Sequence, residues 1–487
     1  MFHPEEGAMS EVKNSQSKSG LITHGLSRRS FLKGVGQSAL SIGAVSELGE
    51  VAAIATESKP SSPKDLPAHL PPRLTIALWI WSYLTACGPG EPYGDLDRAF
   101  AQTVERGFNT IRAEMALNWC FDRQGRPRGQ LEIGAWAPGV NQNLRGLNNK
   151  GGLRYDVLER VLKMFKLARK HKVFVIATSW EYQDSNSFMT DPKLRQDIDS
   201  TPREERFERL ADMHDRLIQE LKKHGLEKQI AFVEIHNELN ASEFPLGFLA
   251  QRPLVEKALS RLQKAHPDIL FTADYANVGP AFDGSFPGYD ALPDNLQVAD
   301  HHIYAGGVGD ALFEQLDLVQ WNQISPDPKN DPLLRWLIGE KPSVSWQEWG
   351  KRAEHVRTLW WPVQWLYANL KEPDRYDYWM FEHFGQYAAM MRKMVQAGMR
   401  EWGNFARARG LPAVIDEGYF SWPPLNSRFE ESAAIRPLLE MVVDTAIEQK
   451  YWGMMITTYC APDEPVWMEN PDWLRKTNQR FLNSAGT

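Results

Sequence analysis

Two glutamates of this sequence stand where apolar runs end. Glu238 follows the run at 230–235, and Glu417 follows the run at 413–416. If each run is a strand of a parallel sheet or barrel, both carboxyl groups lie at the carboxyl-terminal edge, where the loops form sites. Two facing carboxyl groups can cleave a glycosidic bond, because one protonates the departing oxygen while the other attacks the anomeric carbon or activates water. This placement favours sugar chemistry.

The residue before Glu238 leaves a second interpretation open. Asn237 is a good helix N-cap and a Glu favours the first turn, so the pair could simply start the next helix. An amide beside a carboxyl group also suits the recognition of a sugar hydroxyl. The Asn237-Glu238 pair alone favours neither interpretation over the other. Residues at the other strand ends are needed to choose between a helix start and a catalytic site.

Further polar residues end apolar runs of the same kind. Arg112 lies at the end of the run at 107–112, and its guanidinium could hold a carboxylate ionised and oriented. His302 and Tyr304 end another run at i, i+2 spacing, so their side chains can face one way. A Tyr304 hydroxyl beside Glu417 would position that carboxyl group. Singly, Arg112 could be a surface ion pair and His302 a structural histidine, but one barrel mouth would rarely collect all of them by chance.

Two other acids compete for the role of the second carboxyl group. Glu340 ends a similar short run, but no convincing helix and final strand follow it, so Glu417 is preferred. Asp416 is adjacent to Glu417, and strand alternation predicts that its side chain points to the opposite side. Glu238 and Glu417 are therefore the predicted catalytic pair.

From residue 73 onward, short apolar runs alternate with segments of helical period, which is typical of βα units and a parallel sheet. One helical stripe contains Leu96, Phe100 and Val104, with Gly107 at the stop position. Eight runs predict a (β/α)8 barrel. A doubly wound sheet stays open, although no Gly-rich phosphate turn opens a helix. The predicted strands are 74–81, 108–113, 173–178, 230–235, 269–274, 296–302, 413–416 and 453–459.

A long segment at about 305–384 interrupts this alternation after the sixth strand. Nine of the eighteen tryptophans lie between Trp321 and Trp402, and eight of those are inside the segment. An insertion at the carboxyl end of a barrel strand would form a wall or lid over the mouth. Its tryptophans could equally form a small satellite core.

The amino terminus predicts export. Residues 27–33, Ser-Arg-Arg-Ser-Phe-Leu-Lys, resemble the bacterial twin-arginine signal, and a mild apolar stretch too short to span a membrane follows. We predict a signal peptide at 1–55, a linker at 56–72 and a periplasmic or secreted body at 73–487. An ordinary basic tail is the alternative, supported by Glu47 and Glu50 near the end of the apolar stretch.

Composition limits the partners. The 487 residues include 55 basic and 62 acidic ones, so the net charge is −7 and no basic field steers a nucleic acid. Cys87, Cys120 and Cys460 are too few and too far apart for a disulfide framework, and no metal-ligand spacing occurs. A carbohydrate is the predicted partner, no cofactor or metal is predicted, and the oligomeric state stays open.

The order of these motifs resembles clan A of the retaining glycoside hydrolases, especially family 5 and its cellulase-like relatives. The resemblance implies a (β/α)8 barrel with Glu238 as general acid/base and Glu417 as nucleophile. The matching motifs span most of the body: Gly107 to Arg112, Asn237-Glu238, His302-x-Tyr304 and Glu417-Gly418.

The same resemblance implies supporting roles. Tyr304 and Arg112 would hold the nucleophile. Asn237 would bind the sugar 2-hydroxyl, and His302 would line the subsite where cleavage occurs.

The sequence departs from that family at two strand ends. Family members often carry a His pair after the third strand, where this chain has Ile-Ala-Thr-Ser-Trp-Glu at 176–181. A Trp is usual after the eighth strand, but Thr-Thr-Tyr-Cys stands at 457–460. The aromatic platform for the sugar is therefore predicted from Trp180, Tyr459 or Trp467, and the sugar is not identified.

The leading hypothesis is an exported retaining β-glycosidase that acts by double displacement on a β-linked oligo- or polysaccharide. The alternative is a catalytically inactive sugar-binding protein on a cellulase-like barrel, motivated by the missing family aromatics. A metal-dependent hydrolase using His301 and His302 comes third, because adjacent residues of a strand point apart.

Overall fold

The structure, a computed structural model, describes residues 66–485 except 141, 246, 280–281, 283–285, 319–324, 353–360 and 421–422. The predicted export signal and most of the predicted linker lie outside the described residues, as do Trp321 and Trp360. None of the helices in the described part of the chain is long and apolar enough to cross a membrane.

Eight parallel strands form the predicted barrel, in the spatial order β5-β4-β3-β2-β1-β8-β7-β6. This arrangement confirms the (β/α)8 fold class and excludes a doubly wound sheet. The fifth and eighth strands are shorter than predicted, and the second, sixth and seventh extend beyond their predicted ends. The strands are β1 Leu74–Ile80, β2 Thr110–Glu114, β3 Phe174–Thr178, β4 Ile230–Glu234, β5 Phe271–Thr272, β6 Ala299–Tyr304, β7 Ala413–Tyr419 and β8 Gly453–Met455.

The barrel closes between β5 and β6, where β5 contributes only two residues. Gln297 donates its backbone N–H to the Phe271 carbonyl at 3.1 Å. His302 donates its backbone N–H to the Tyr275 carbonyl at 3.1 Å, and its own carbonyl accepts the N–H of Asn277 at 3.0 Å. Among the described residues this seam has three backbone hydrogen bonds, so it closes the barrel with a short ladder.

Helices cover the outside of the barrel. Between β5 and β6 the described residues contain a single 3-10 turn, Tyr289–Ala291. The helices are α1 Leu96–Glu105, α2 Val157–His171, α3 Pro192–Asp199, α4 Arg206–Lys223, α5 Phe248–Ala265, α6 Val308–Gln315, α7 Pro332–Ile338, α8 Trp346–Arg352, α9 Trp361–Asn369, α10 Pro373–Arg409, α11 Arg436–Glu448, α12 Pro465–Glu469 and α13 Pro471–Asn483. Single turns are Ser82–Thr85, Leu117–Cys120, Ser185–Phe188, Arg203–Glu205 and Glu227–Gln229, and an antiparallel pair joins Gln130–Ile133 to Leu153–Asp156.

Local sequence signals explain where α1 begins and ends. The Asp95 side chain accepts the N–H of Arg98 at 3.1 Å, which satisfies a free donor of the first turn. Gly107 follows the helix with φ +79°, a conformation that glycine adopts without strain. The predicted stripe was wrong at Val104, which is 46% exposed, because the buried face is rotated toward Ala99.

The tryptophans of the segment after β6 pack on one another. The rings of Trp346 and Trp361 are 4.4 Å apart between centroids, and Trp346 meets Trp365 edge-on at 5.2 Å. Trp349 is fully buried and lies 5.5 Å from Trp136 of another loop. In the described residues, Trp349 and Trp365 belong to the same contiguous core as the barrel, and Trp346 and Trp361 pack against it. The predicted end of the segment, near residue 384, falls inside α10.

Candidate active site

The structure brings six sequence-predicted site residues together at the carboxyl end of the barrel. They come from four strands or the residues that directly follow them. These are Arg112 on β2, Asn237 and Glu238 after β4, His302 and Tyr304 on β6, and Glu417 on β7.

Glu417 is held through both of its carboxylate oxygens. Arg112 donates from Nη1 to Oε2 at 2.7 Å, and the Tyr304 hydroxyl donates to Oε1. Burial raises the pKa of the Glu417 carboxyl, whereas His302, Arg112 and the Tyr304 hydroxyl oppose that rise. The side chain is 14% exposed, so the carboxylate is accessible from the mouth but fixed from below.

Glu238 has a strained backbone. Its φ is +43°, a left-handed conformation that costs a residue with a side chain roughly 1 kcal/mol or more. Its N–H donates to both carboxylate oxygens of Asp274, at 3.1 and 3.0 Å. The side chain meets His302 Nδ1 at 2.9 Å through Oε1, while Gln183 donates to Oε2 at 3.3 Å. These contacts fix the direction of the Glu238 carboxyl.

His302 lies between the two glutamates, and the carboxyl groups around it favour its charged form. Burial would lower its pKa, but Asp274, Glu417 and Asp416 together raise it well above its ordinary value. His302 Nδ1 lies 2.9 Å from Glu238 Oε1, and Nε2 lies 3.2 Å from one carboxylate oxygen each of Asp274 and Asp416. A positive charge on His302 lowers the pKa values of Glu417, Asp274 and Asp416.

Arg112 is fully buried next to Glu417 and bonds several polar groups of the site. Its Nη2 donates to Glu234 at 2.6 Å and to the Asn237 side-chain oxygen at 2.8 Å. Burial alone would lower its pKa, but Asp416, Glu234 and Glu417 raise it well above the ordinary value. The Trp180 ring covers the guanidinium at 4.8 Å. One fixed positive charge therefore orients groups from β4 and β7.

Asp416 does not point away from Glu417, and that prediction was wrong. Asp416 Oδ2 lies 3.0 Å from Arg112 Nε, and Oδ1 lies 3.2 Å from His302 Nε2. The cause is an irregularity between β6 and β7, where His301 pairs with Ile415 but Ile303 pairs with Gly418. The extra residue on β7 breaks the alternation, so two successive acids face the barrel interior.

The predicted platform residues separate into two groups. Trp180 is 3% exposed and packs on Arg112 at the site, and Tyr459 is 6% exposed with its ring 4.9 Å from the Arg145 guanidinium. Trp467 is fully buried, stacked on Phe108 at 5.6 Å. The prediction of Trp467 as a platform was wrong, since no face of its ring is free for a sugar.

His301 and His302 do not form one site. The His301 ring stacks on Trp402 of α10 at 4.4 Å, on the outer side of the barrel. The metal-site alternative that used both histidines is therefore wrong. Two other groups each present ligand atoms within 4.8 Å of one another and could hold a cation: Glu238, His302 and Glu417, and Glu234, Asp300 and Asp416.

Sequence reasoning missed four residues that complete the site. Asp274 was the last residue of the predicted fifth strand, so its strand-end position was a usable signal. Glu234 was an acid inside an apolar run, a pattern that indicates a buried partner. Gln183 and Asp184 lie in the loop after β3 and carried no such signal.

Comparison with known proteins supports the fold. No family model and no curated protein matches the sequence. A solved candidate glycoside hydrolase from Parabacteroides distasonis ATCC 8503 superposes with a TM-score of 0.56 at 17% identity, covering 85% of this chain and 94% of that one. At this identity the likeness shows a shared fold.

Two further solved structures overlap less well. An endo-1,4-beta-D-mannanase from Thermotoga petrophila RKU-1 has a TM-score of 0.41 at 13% identity, covering 79% of this chain and 87% of its own. A glycoside hydrolase family 5 mannosidase from Rhizomucor miehei has a TM-score of 0.43 at 10% sequence identity, covering 85% of this chain and 95% of that one.

Proposed function

We propose that this chain is a retaining β-glycosidase that hydrolyses O-glycosidic bonds of a β-linked oligo- or polysaccharide. The observation that carries the proposal is the approach of Glu238 and Glu417, whose carboxylate oxygens come within 4.8 Å. Retaining enzymes keep their two carboxyl groups about 5–5.5 Å apart, whereas inverting enzymes need a gap of about 6.5–9.5 Å for a water molecule. The short gap supports double displacement.

In the first step, the Glu417 carboxylate attacks the anomeric carbon while Glu238 donates a proton to the leaving oxygen. The bond from carbon to the leaving group breaks as a glycosyl ester to Glu417 forms. In the second step, Glu238 removes a proton from water, which attacks the anomeric carbon and releases Glu417. Both oxygens of Glu417 already accept hydrogen bonds, so the nucleophile begins each cycle oriented.

The surrounding residues divide the remaining tasks in this proposal. Arg112 and Tyr304 orient Glu417, and the Asn237 amide, bonded to Arg112, faces the sugar 2-hydroxyl. His302 lines the cleavage subsite through its contact with Glu238. Trp180 and Tyr459 provide the aromatic boundary, and each ring has a guanidinium over one face, that of Arg112 at 4.8 Å and that of Arg145 at 4.9 Å.

The decisive experiment combines a substrate panel with carboxamide variants. We expect hydrolysis of at least one β-glucoside, β-mannoside or β-galactoside, with the β anomer formed first in the proton NMR spectrum. Glu417→Gln and Glu238→Gln should each lower kcat by at least about 100-fold, because each removes a nucleophile or a proton-transfer group.

Glu340→Gln is the matched control, because Glu340 also follows a short apolar run and lies outside the contacts described above. Its kcat should be unchanged. Full activity of Glu417→Gln, or first release of the α anomer, would contradict the proposed mechanism. Tight oligosaccharide binding without turnover would instead indicate a sugar-binding protein.

We also propose export to the periplasm or outside the cell through the twin-arginine route. The support is the Arg28-Arg29 pair followed by Phe-Leu-Lys. Replacement of both arginines by lysine should retain the full-length protein in the cytoplasm of a bacterial host, as measured by cell fractionation. Unchanged export would contradict this route.

A further inference from the structure

Two aromatic side chains near the start of α10 are exposed. Tyr378 is 61% exposed and Phe381 is 44% exposed, and they are the most exposed Phe, Tyr or Trp side chains in the part of the chain that the structure describes. The two residues are three apart in α10, so they are neighbours on the helix surface. Single exposed apolar residues are common, but adjacent exposed rings indicate a binding surface.

This exposed pair lies beyond the carboxyl end of the barrel strands. The Trp402 indole of α10 donates to the carbonyl of Ala299, the first residue of β6, at 2.9 Å. Further back along α10, the Met391 side chain occupies the place that a Cβ on Gly307 would take, just after β6 ends. Phe381 precedes Met391 by ten residues, which is about 15 Å of helix. The start of α10 therefore projects past the edge that carries the catalytic pair.

A chain of ring contacts connects the exposed pair to the strand of the proposed nucleophile. The Phe381 ring lies 5.1 Å from the Phe429 ring, on the loop after β7. The Phe429 ring lies 6.5 Å from that of Phe420, which follows Glu417 by three residues. Three residues span at most about 11 Å. The pair thus stands on the rim beside the chain that leaves Glu417.

Hydrogen bonds fix this part of the rim. Asp377, the residue before Tyr378, accepts the Ser427 hydroxyl at 2.5 Å and the backbone N–H of Arg428 at 2.6 Å. Arg145, from the loop after β2, donates to the Ser427 carbonyl at 3.2 Å. A surface that is ordered before the ligand arrives loses less conformational entropy when it binds.

The size and surroundings of the exposed pair favour a sugar over a second copy of the chain. A fully buried aromatic side chain covers about 150–250 Å², so the exposed parts of Tyr378 and Phe381 amount to roughly 160–260 Å². A stable dimer needs about 800 Å² from each subunit. Asp374 and Glu382 are exposed and lie four residues before and after Tyr378, on the same helix face. Flat rings beside hydrogen-bond acceptors match a pyranose, whose C–H face is bordered by hydroxyl groups.

We propose that Tyr378 and Phe381 form a platform that binds a distal part of a neutral β-linked polysaccharide, away from the bond that is cleaved. This inference rests on the proposed glycosidase function. Trp180 and Tyr459 are almost fully buried, and a guanidinium covers one face of each, so they offer a long chain little ring surface. The rings on α10 supply that surface outside the mouth.

The test compares a long substrate with a short one. kcat/KM would be measured on two neutral soluble polysaccharides, hydroxyethyl cellulose and galactomannan, and on the aryl β-monoglycoside that the enzyme cleaves best. Because the monoglycoside cannot reach the platform, the ratio of polysaccharide to monoglycoside kcat/KM isolates the contribution of α10. The double variant Tyr378→Leu, Phe381→Leu keeps apolar side chains but removes both rings, so this ratio should fall about tenfold or more. Tyr378→Phe, which keeps its ring, should retain most of the ratio.

Val104→Ala is the matched control, because Val104 is also exposed, at 46%, but lies at the end of α1 near the amino edge of the barrel. It should leave the ratio unchanged. An unchanged ratio in the double variant would overturn the inference while the proposed function stands, as would an equal loss on both substrates. A dimer in light scattering that the double variant dissociates would assign the surface to a second copy and also overturn it.

A binding measurement separates the platform from hydrolysis. Native gels that contain either polysaccharide would be run with Glu417→Gln, so that the polymer stays intact during the run. Slower migration in at least one polysaccharide, lost when both leucines are added, supports the platform even when the proposed hydrolysis fails. The same migration with and without both polysaccharides overturns it.

Discussion

The hydrogen bond from Tyr304 to Glu417 makes a quantitative prediction about pH dependence. Tyr304→Phe removes the hydroxyl that donates to Oε1 and leaves the ring in place. The bond lowers the pKa of Glu417, so its loss should raise that pKa. Because Glu417 must be ionised to attack, the acidic limb of the kcat/KM profile should move to higher pH.

The size of the shift follows from the kind of bond that is lost. A hydrogen bond to a charged acceptor contributes about 1.5–3 kcal/mol, and one pKa unit corresponds to about 1.4 kcal/mol. Glu417 is only 14% exposed, so water replaces little of the missing donor. The limb should therefore move upward by about 1–2 pH units.

The assay is kcat/KM against pH on a chromogenic β-glycoside, which reports the ionisations of the free enzyme. Tyr451→Phe is the control, because it removes a buried tyrosine bond to the Met399 carbonyl at 2.9 Å outside the site. Its acidic limb should match the wild type. An acidic limb of Tyr304→Phe that stays in place or moves to lower pH would refute the reasoning.

Three further outcomes are expected. Asp274→Asn should lower kcat/KM about 10- to 100-fold, because the backbone N–H of Glu238 and the ring of His302 lose an ionised neighbour. NMR of the imidazole should also show a lower pKa for His302 in this variant. A wild-type kcat/KM would contradict this role of Asp274. Trp180→Phe should raise KM, as steady-state kinetics would measure. Trp467→Phe should leave KM unchanged and lower the melting temperature, as calorimetry would measure. A raised KM in Trp467→Phe would contradict the burial of Trp467 away from the site. The free energy of unfolding should fall as the pH rises from about 6.5 to about 8, with a slope of up to about 1.4 kcal/mol per pH unit for each proton lost. The folded pKa values of Glu234, about 8, and Asp184, about 7, lie above the values of unfolded carboxyl groups, so the folded state holds protons that the unfolded state has released. Urea titrations across that pH range measure the slope, and Asp184→Asn should make it smaller. A free energy of unfolding that rises with pH would contradict the raised pKa values of these carboxyl groups.

Much of the site was predictable because a parallel barrel turns sequence position into spatial position. Arg112, Glu238, His302 and Glu417 each end an apolar run, and all such ends meet at one edge. The count of eight apolar runs predicted the barrel fold for the same reason. What sequence patterns show well is which residues end strands.

The wrong predictions arose where regular geometry fails. Asp416 faces inward because β7 carries one extra residue opposite β6, and no pattern in the run announces that irregularity. Trp467 was predicted as one substitute for the Trp that usually follows the eighth strand, which was predicted to reach residue 459. The strand ends at Met455, and the chain then packs Trp467 against α1 and Phe108.

Asp184 was missed for a different reason. It lies in a loop where neither period nor strand end marks the residues that face the mouth. Its burial and its electrostatic interaction with Glu238 and Glu417 become visible only in the three-dimensional structure. Loop residues of this kind require coordinates because their direction is fixed by tertiary contacts.

The short seam between β5 and β6 gives the protein a point of thermal weakness that is separate from its core. Asp274, which fixes the backbone of Glu238, lies on the chain that leaves β5 into this seam. Local opening there costs less than global unfolding, because few backbone hydrogen bonds have to break. On heating, catalysis should therefore stop several degrees before the helices melt, and cooling within that interval should restore it.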